Sequence, residues 1–367
     1  MNYQIDRTLH TPAYIQLYHL LVRDITSGLY PYGARLPSKR TVAEEAGISV
    51  ITAEHAYALL IDEGYAETKE RSGCYVIYRG TDYPAEPGVA PPSIPQTKQT
   101  PHARGEFPYT VLARTVRKVL TVYADSLEVR SPNAGCAELR AEICRYLARS
   151  RGIAVNSSQV IIGSGAEYLY GLIAQLIGRD RVIAVENPCY DKILKVYASM
   201  GIICDPLTLT AEGISSKALG RTRASALHVT PFNSYPSGIT ADISKKREYV
   251  CWAEERGGLL IEDNYDSELT VSRKPEETLF SLAGGKRVIY LNTFSRTIAP
   301  SMRIGYMILP EELEEEYENK LGFYSCSVPV LEQYLLTELL RNGDFERHIN
   351  RIRRKKRQEM KQGGASQ

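Results

Sequence analysis

Short apolar runs recur along this chain from residue 160 onward, each bounded by turn residues and separated from the next by a segment of helical character. The runs occupy residues 160–162, 182–185, 227–229, 259–261 and 288–290. Runs of this kind suit strands that are buried on both faces of a mainly parallel sheet. Parallel strands need crossover connections, and residues 168–177 have the pattern of one such helix. The pattern predicts an α/β fold with crossover helices.

The length of the chain, 367 residues, is enough for two or three domains with at least one sizeable core. The net charge of +2 neither favours nor excludes nucleic acid as a partner, and the sequence has no apolar stretch long enough to span a bilayer. The first residues lack the charged and apolar regions of a signal peptide. Seven cysteines are scattered without a Cys-x-x-Cys pair, so we expect reduced thiols, no metal site and a cytoplasmic location.

A proline-rich segment divides the chain. Residues 79–105 contain six prolines and almost no periodic apolar pattern, which is typical of a semi-rigid linker. We therefore predict a multi-domain α/β protein with a first domain over residues 10–78, a linker over 79–105 and a large domain over 106–362.

The first domain has the pattern of three helices followed by a β-hairpin. Apolar residues at three- and four-residue steps predict a helix over residues 14–25. Ser38 and Ser49 are expected to cap a second and a third helix, and two short strands follow around residues 65–68 and 74–78. This order of elements is typical of a winged helix-turn-helix.

Residues 33–43, 47–49 and 56–60 resemble the DNA-binding domain of the GntR family of bacterial repressors. The resemblance implies that basic side chains contact DNA phosphates near the start of the second helix. It also implies that the third helix faces the major groove and that a wing tip forms at Gly73. The DNA-binding residues implied in this way are Arg35, Lys39, Arg40, Ser49, Thr52, His55, Arg71 and Gly73.

Two positions depart from the pattern of that family. Val50 replaces an arginine that commonly follows the serine at the start of the recognition helix, and Glu54 occupies another frequently basic position. Residues 1–78 contain seven Lys and Arg against nine Asp and Glu, a formal charge of −2. We therefore expect weak or salt-sensitive binding to double-stranded DNA. A winged helix used only for packing or protein contact stays open as an alternative.

Three segments of the large domain end strands with side chains suited to binding a ligand. A glycine turn at residues 163–165 leads into a helix, whose unpaired first amides suit a phosphate. Tyr190 suits stacking on an aromatic ring. Asp263 and Tyr265 project to the same side of an extended chain, and a carboxylate there suits a protonated ring nitrogen.

A fourth segment, residues 292–306, resembles the cofactor-lysine segment of fold-type I pyridoxal-phosphate (PLP) enzymes. In that pattern a Ser-Lys pair follows a strand and an arginine comes seven residues after the lysine. Here Ser295 and Arg303 match, and both suit a phosphate, but Arg296 stands at the lysine position. A covalent bond to the coenzyme requires an amine that can deprotonate, whereas a guanidinium stays protonated. We therefore expect noncovalent PLP binding, no transamination and no catalytic residue.

The four segments, in this order after the first domain, resemble the MocR/GabR-type regulators, which fuse a GntR DNA-binding domain to an aminotransferase-like domain. Flanking segments at 135–140, 151–153 and 235–238 agree, and the resemblance covers residues 10–362. It implies a homodimer, no membrane partner and an effector that is PLP, an amino-acid-like molecule or both. The cofactor-binding residues implied are Gly165, Ala166, Glu167, Tyr190, Asp263, Tyr265, Ser295, Arg296 and Arg303.

Further departures leave three hypotheses open. Asn233 and Ser234 replace a His-Gln pair of the family, and we expect the family's small C-terminal domain to be missing after a very basic helix over residues 348–362. The first hypothesis is a transcription regulator that senses a ligand through its aminotransferase-like domain. The second is a PLP-dependent aminotransferase, and the third is a degenerate or truncated relic.

Overall fold

The computed structural model describes residues 3–6, 8–9, 11–69, 72–79, 107–270 and 277–363. The chain separates into two compact units, residues 1–98 and 99–367, which we describe one at a time. The linker predicted for residues 79–105 lies outside the described residues, except for Arg79.

The first unit has three helices and a two-stranded hairpin, in the order that the sequence predicted. They are α1 (Ala13–Thr26), α2 (Lys39–Ala46), α3 (Val50–Asp62), β1 (Ala66–Lys69) and β2 (Gly73–Val76). Both predicted caps form, because the hydroxyl oxygens of Ser38 and Ser49 accept the backbone N–H groups of Thr41 and Thr52, each at 3.1 Å. The two strands pair antiparallel, with Ala66 opposite Val76.

A single apolar cluster holds this unit together. Leu17 and Leu21 of α1 and Leu60 of α3 are fully buried in it, together with Val42 of α2. Helices α1 and α2 both pack against α3, so α3 is fixed from two sides and keeps its remaining face exposed.

The second unit alternates strands and helices. Its elements in chain order are α4 (Tyr109–Val122), α5 (Ala124–Leu127), α6 (Ala137–Arg151), β3 (Val160–Gly163), α7 (Ala166–Ile177), β4 (Val182–Asn187), α8 (Asp191–Ser199), β5 (Ile203–Thr210), β6 (Gly213–Ile214), α9 (Ser216–Arg221), β7 (Ala226–Val229), α10 (Ile243–Arg256), β8 (Leu259–Asp263), α11 (Leu279–Leu282), β9 (Val288–Thr293), β10 (Gly305–Ile308), α12 (Glu314–Leu321), α13 (Val330–Arg341) and α14 (Asp344–Gly363).

The eight strands of this unit form one sheet in the order β3-β10-β9-β8-β7-β4-β5-β6. Strands β9, β8, β7, β4 and β5 run parallel to one another, whereas β10 is antiparallel to both β3 and β9, and β6 is antiparallel to β5. The prediction of a mainly parallel sheet with crossover helices is confirmed. All five predicted apolar runs are strands, and β5, β6 and β10 are additional ones.

Apolar side chains cover both faces of the sheet. Along β3, Val160 and Ile162 belong to one buried cluster and Ile161 belongs to the other, as the alternation of side chains in a strand requires. The cluster on one face includes residues of α6, α10 and α13, and the cluster on the other includes residues of α7, α8 and α12. In the part of the chain that the structure describes, no helix has the length and apolar character needed to cross a membrane.

The carboxyl ends of the parallel strands meet at one edge of the sheet. Strands β4, β7, β8 and β9 all end there, and so does β3, because it and β9 are both antiparallel to β10. Ligands of open α/β sheets bind outside this edge. The turns that follow these strands therefore carry the residues of the candidate site.

Candidate functional site

A cavity of about 260 Å³ opens at this edge of the sheet. Eight of the nine predicted cofactor-binding residues line it: Ala166, Glu167, Tyr190, Asp263, Tyr265, Ser295, Arg296 and Arg303. The ninth, Gly165, lies directly against Arg303. Tyr170, Ile193, Thr230, Tyr235 and Thr293 complete the wall. Segments that are far apart in the sequence thus converge on one pocket.

Gly165 and Arg303 form the end of the cavity that is suited to an anion. Gly165 precedes the first turn of α7 with φ of +94°, and a Cβ atom there would stand 2.8 Å from Nη2 of Arg303. The absence of a side chain therefore lets the guanidinium lie beside the start of the helix. A helix N-terminus beside an arginine fork is a strong combination for a phosphate.

In the structure, the Arg303 side chain is hydrogen-bonded to Glu167. Oε2 of Glu167 accepts a hydrogen bond from Arg303, and its Oε1 accepts one from Nζ of Lys192 at 2.6 Å. Burial opposes ionisation of Glu167, but the hydrogen bonds from Lys192 and Arg303 outweigh it and lower the pKa of the carboxyl group. An anionic ligand must therefore compete with an ionised carboxylate for Arg303.

Ser295 is held near Arg303 by the connection between β9 and β10. The two strands pair with Thr293 opposite Gly305, and the Ser295 hydroxyl donates to the carbonyl oxygen of Met302 at 3.0 Å. The connection therefore brings the predicted serine and arginine to one wall of the cavity.

Asp263 is a buried carboxyl group in the wall of the cavity, with 2% of its surface exposed. Its Oδ2 accepts a hydrogen bond from the Tyr170 hydroxyl, and its Oδ1 accepts the backbone N–H of Tyr265 at 3.2 Å. Burial, followed by the negative charge of Asp263, raises the pKa of Tyr170 well above its usual value, so this tyrosine remains a donor. These two hydrogen bonds fix the orientation of the Asp263 carboxyl group.

A buried histidine lies behind Asp263. Nε2 of His228 is 3.8 Å from Oδ2 of Asp263 and has no hydrogen-bond partner among the described residues. Nδ1 of His228 is bonded to the Tyr197 hydroxyl at 2.7 Å. His228 lies in the otherwise apolar strand β7. A polar residue inside an apolar run is the sequence signal that points to it.

Glu186, at the end of β4, is a second buried carboxyl group near the cavity. Burial is the main cause that raises its pKa to about 7, and the charge of Asp263 contributes in the same direction. The Ser234 hydroxyl donates to Oε2 of Glu186 at 2.6 Å and opposes this rise. The sequence analysis did not single out Glu186, because its closeness to Asp263 depends on the pairing of strands that are distant in the sequence.

Arg296, at the position of the expected lysine, is held by an acidic side chain. Its Nε lies 3.2 Å from Oδ1 of the buried Asp266, and its Cζ lies 5.4 Å from the centre of the Tyr265 ring. Asn233 donates from Nδ2 to the other oxygen of Asp266 at 2.6 Å, and the Tyr265 hydroxyl donates to the Asn233 carbonyl oxygen at 2.7 Å. The sequence analysis predicted neither the pairing of Arg296 with Asp266 nor the hydrogen bond from Asn233 to Asp266.

Tyr190 lines the cavity where an aromatic ring would stack. Its ring centre is 6.0 Å from that of Tyr235, at an angle of 81° between the planes. Nζ of Lys192 lies 5.9 Å from the centre of the Tyr190 ring. Tyr190 and Tyr235 therefore pack edge to face in the wall of the cavity.

The predicted DNA-binding residues lie in the first unit around α2, α3 and the hairpin. Arg35 lies with its side chain against the backbone of Gly73, since a Cβ atom there would be 2.9 Å from Nε of Arg35. Nζ of Lys39 is 3.5 Å from Oε1 of Glu54. Arg40 is exposed at the start of α2.

The remaining predicted DNA contacts lie on α3 or beside it. Ser49 caps the helix, and its hydroxyl is 2.8 Å from that of Thr52. His55 is exposed, and its ring packs edge-on against Tyr14 with the ring centres 5.8 Å apart. Arg71 lies outside the described residues.

Two family models match this chain. The model of the bacterial regulatory proteins of the gntR family matches residues 13–76. The model of the class I and II aminotransferases matches residues 99–363, which is more than half of the chain.

Curated relatives share both parts. The uncharacterized HTH-type transcriptional regulator YdeL of Bacillus subtilis is 32% identical over 366 residues, covering 96% of this chain and 79% of the relative. The pyridoxine biosynthesis transcriptional regulator PdxR of Corynebacterium glutamicum is 28% identical, with coverage of 94% and 77%. The probable rhizopine catabolism regulatory protein MocR of Rhizobium meliloti is 27% identical, with coverage of 95% and 76%.

Solved aminotransferases share the fold of the second unit. The α-aminoadipate aminotransferase LysN of Thermus thermophilus superposes with a TM-score of 0.59 and 26% identity, over 68% of this chain and 64% of that one. A multiple substrate aminotransferase of Thermococcus profundus superposes with a TM-score of 0.62 and 24% identity over the same shares. The chain thus spans less than two thirds of these enzymes. It belongs to the GntR family of bacterial regulators, in the MocR-type group of HTH-type transcriptional regulators that carry an aminotransferase-like domain.

Proposed function

We propose that this regulator binds PLP noncovalently in the cavity at the carboxyl edge of the sheet, and that the bound ligand changes its affinity for double-stranded DNA. The observation that carries the proposal is a cavity lined by phosphate-binding, aromatic and acidic side chains in which Arg296 takes the place of the lysine. The cavity is thereby suited to holding a ligand rather than to converting one. The domain limits 10–78, 79–105 and 106–362 are part of this proposal.

The side chains present fit the parts of PLP. Arg303 and Ser295, with the amides at Ala166 and Glu167, would hold the phosphate, and Gly165 leaves the space for this contact. Asp263 would face the ring nitrogen, and the unpartnered Nε2 of His228 behind it adds a polar atom at the same place. Tyr190 and Tyr265 would face the ring and its phenolic oxygen. When bound, the coenzyme supplies an aldehyde and an electron-withdrawing ring.

Arg296 argues against transamination. A guanidinium stays protonated at any working pH, so it can neither form the covalent bond nor take up a proton from a substrate. The aminotransferase alternative therefore has no residue at this position to move a proton, whereas binding requires none.

For DNA we propose contacts through Arg35, Lys39, Arg40 and Arg71 to phosphates and through Ser49, Thr52 and His55 to the major groove, with Gly73 at the wing. The first unit is short of positive charge, and Lys39 is partly neutralised by Glu54. Affinity should therefore be weak, because few phosphates can be neutralised. We further propose that the regulator acts in the cytoplasm as a homodimer and that PLP, an amino-acid-like molecule or both are its effectors.

Two titrations of the full chain test the proposed function. Visible absorbance with increasing PLP should saturate at one ligand per chain, and retardation of duplexes selected from a randomised pool should change when PLP is present. PLP binding without any effect on DNA binding would refute the coupling. Failure to bind either PLP or DNA would favour the hypothesis of a relic.

A further inference from the structure

The outward face of α3 carries large apolar side chains in its first and last turns, beside the exposed Glu54, His55 and Asp62. Val50 and Ile51, in its first turn, are 41% and 65% exposed, and Ile61 in its last turn is 37% exposed. These three side chains lie outside the buried cluster of the first unit. The apolar character of this face is therefore not explained by the packing of the described residues in this unit.

Charge on α3 excludes the commonest kind of base contact. The helix contains no lysine or arginine, so it lacks the side chains that bind guanine with two hydrogen bonds. One of its two exposed carboxylates, Glu54, lies 3.5 Å from Nζ of Lys39, and both side chains are about half exposed. This pair reduces the repulsion of phosphates, but it supplies no cation from α3 itself.

We propose that Val50 and Ile51 select the operator by contacting thymine methyl groups in the major groove. Thymine alone among the four bases presents a C5-methyl group there, and apolar side chains are its natural partners. The first turn of a recognition helix is the part that meets the base edges, and both residues lie in it. The proposal rests on the proposed DNA binding and adds to it the identity of the bases that are read.

Replacement of thymine by uracil tests this, because it removes the methyl group and preserves base pairing. Duplexes are first enriched from a randomised pool on the full chain, and the selected sequence is then synthesised with uracil at one thymine at a time. Loss of one buried methyl group should weaken binding by about fourfold. We expect this loss at one or two steps of each half-site and equal affinity for both bases elsewhere.

Variants assign the effect to the two residues. With Val50→Ala and Ile51→Ala combined, the affinity should fall and the difference between thymine and uracil should disappear. Ile61→Ala is the matched control, an exposed apolar residue in the last turn of the same helix, and it should keep the difference seen in the wild type. The uracil scan of the wild type does not depend on any variant folding.

The outcomes separate this inference from the proposed function. Absence of binding to every selected duplex would refute DNA binding itself. Tight binding with equal affinity for thymine and uracil at every position would refute the contacts with methyl groups but not DNA binding. If the double variant changes the oligomeric state but keeps the thymine preference, the face is a protein contact and the inference is wrong.

Discussion

Nε of Arg296 lies 3.2 Å from Oδ1 of Asp266, a carboxylate whose side chain is 7% exposed. The second oxygen of Asp266 is held by Asn233 at 2.6 Å, so the carboxylate has a fixed orientation. The Arg296 side chain is about half exposed, and its Cζ lies 5.4 Å from the centre of the Tyr265 ring. The position of the expected lysine therefore holds a guanidinium, which cannot form the covalent bond that an amine forms with an aldehyde.

Glu167→Gln should strengthen PLP binding. Glu167 takes hydrogen bonds from Arg303 and Lys192, so a phosphate must displace a carboxylate and also meets its negative charge. These side chains are partly exposed, and the gain should be about three- to tenfold in Kd, measured by absorbance titration. Glu316→Gln, which breaks a Glu-Lys pair of the same 2.6 Å length with Lys320 on α12, should leave Kd unchanged. Weaker binding by the Glu167 variant would show that Glu167 supports the ligand.

Gly165→Ala should reduce the affinity for PLP by at least about tenfold, a loss of about 1.4 kcal/mol of binding free energy. The added Cβ would stand 2.8 Å from Nη2 of Arg303, and φ of +94° is unfavourable for alanine. Gly178→Ala is a matched control, because Gly178 has φ of +92° and nothing within 4 Å of a Cβ atom. Both variants should lose similar stability in thermal melting, but only the first should lose the ligand. Equal affinity of the two variants would remove Gly165 and Arg303 from the phosphate site.

Glu186→Gln should abolish a pH dependence of stability. The folded pKa of about 7 lies above the ordinary value of 4.5, so the folded state holds a proton that the unfolded state releases. The free energy of unfolding should therefore decrease as pH rises between these values, by at most about 3 kcal/mol. Denaturation at about pH 5 and about pH 8, on either side of the folded pKa, should give a difference for the wild type that shrinks in the glutamine variant. Parallel curves for the two proteins would contradict this.

Arg35→Ala should weaken DNA binding uniformly across sequences. Loss of one phosphate contact should lower the slope of log K against log salt by about 0.9. Thr52→Ala, on the recognition helix, should instead weaken binding at one base step. The control Arg23→Ala removes an exposed cation of α1 that pairs with Asp24 and should change neither quantity. Indifference of DNA affinity to both Arg35 and Thr52 would refute the assigned interface.

Much of the fold could be predicted because buried strands have a recognisable local pattern of apolar residues. Strands covered on both faces are continuous apolar runs, and five of them were recognised. Strand β5 (Ile203–Thr210) was missed because it is partly exposed and because Asp205 and Pro206 interrupt its apolar residues. Strand β10 (Gly305–Ile308) is an apolar run buried along its whole length, yet it was not recognised, and its place between β3 and β9 is a long-range antiparallel pairing that a local pattern does not report.

The positions of the site residues were predictable, but their partners were not. Asp263, Ser295 and Arg303 lie at or beyond the ends of strands, and the geometry of a parallel sheet brings such ends together. The hydrogen bond between Tyr170 and Asp263 joins residues 93 positions apart. The hydrogen bond between Arg303 and Glu167 joins residues 136 positions apart. Such contacts follow from tertiary packing and carry no signature in the sequence.

Borohydride reduction in saturating PLP, followed by mass mapping, tests the central claim most directly. The wild-type chain should bind PLP and show no reduced covalent adduct in the second unit. Arg296→Lys, in the same cavity, should gain an absorbance band on binding PLP and an adduct on the peptide that contains residue 296. A stable adduct on another lysine of the wild-type domain, or turnover of an amino donor by the wild type, would contradict noncovalent binding.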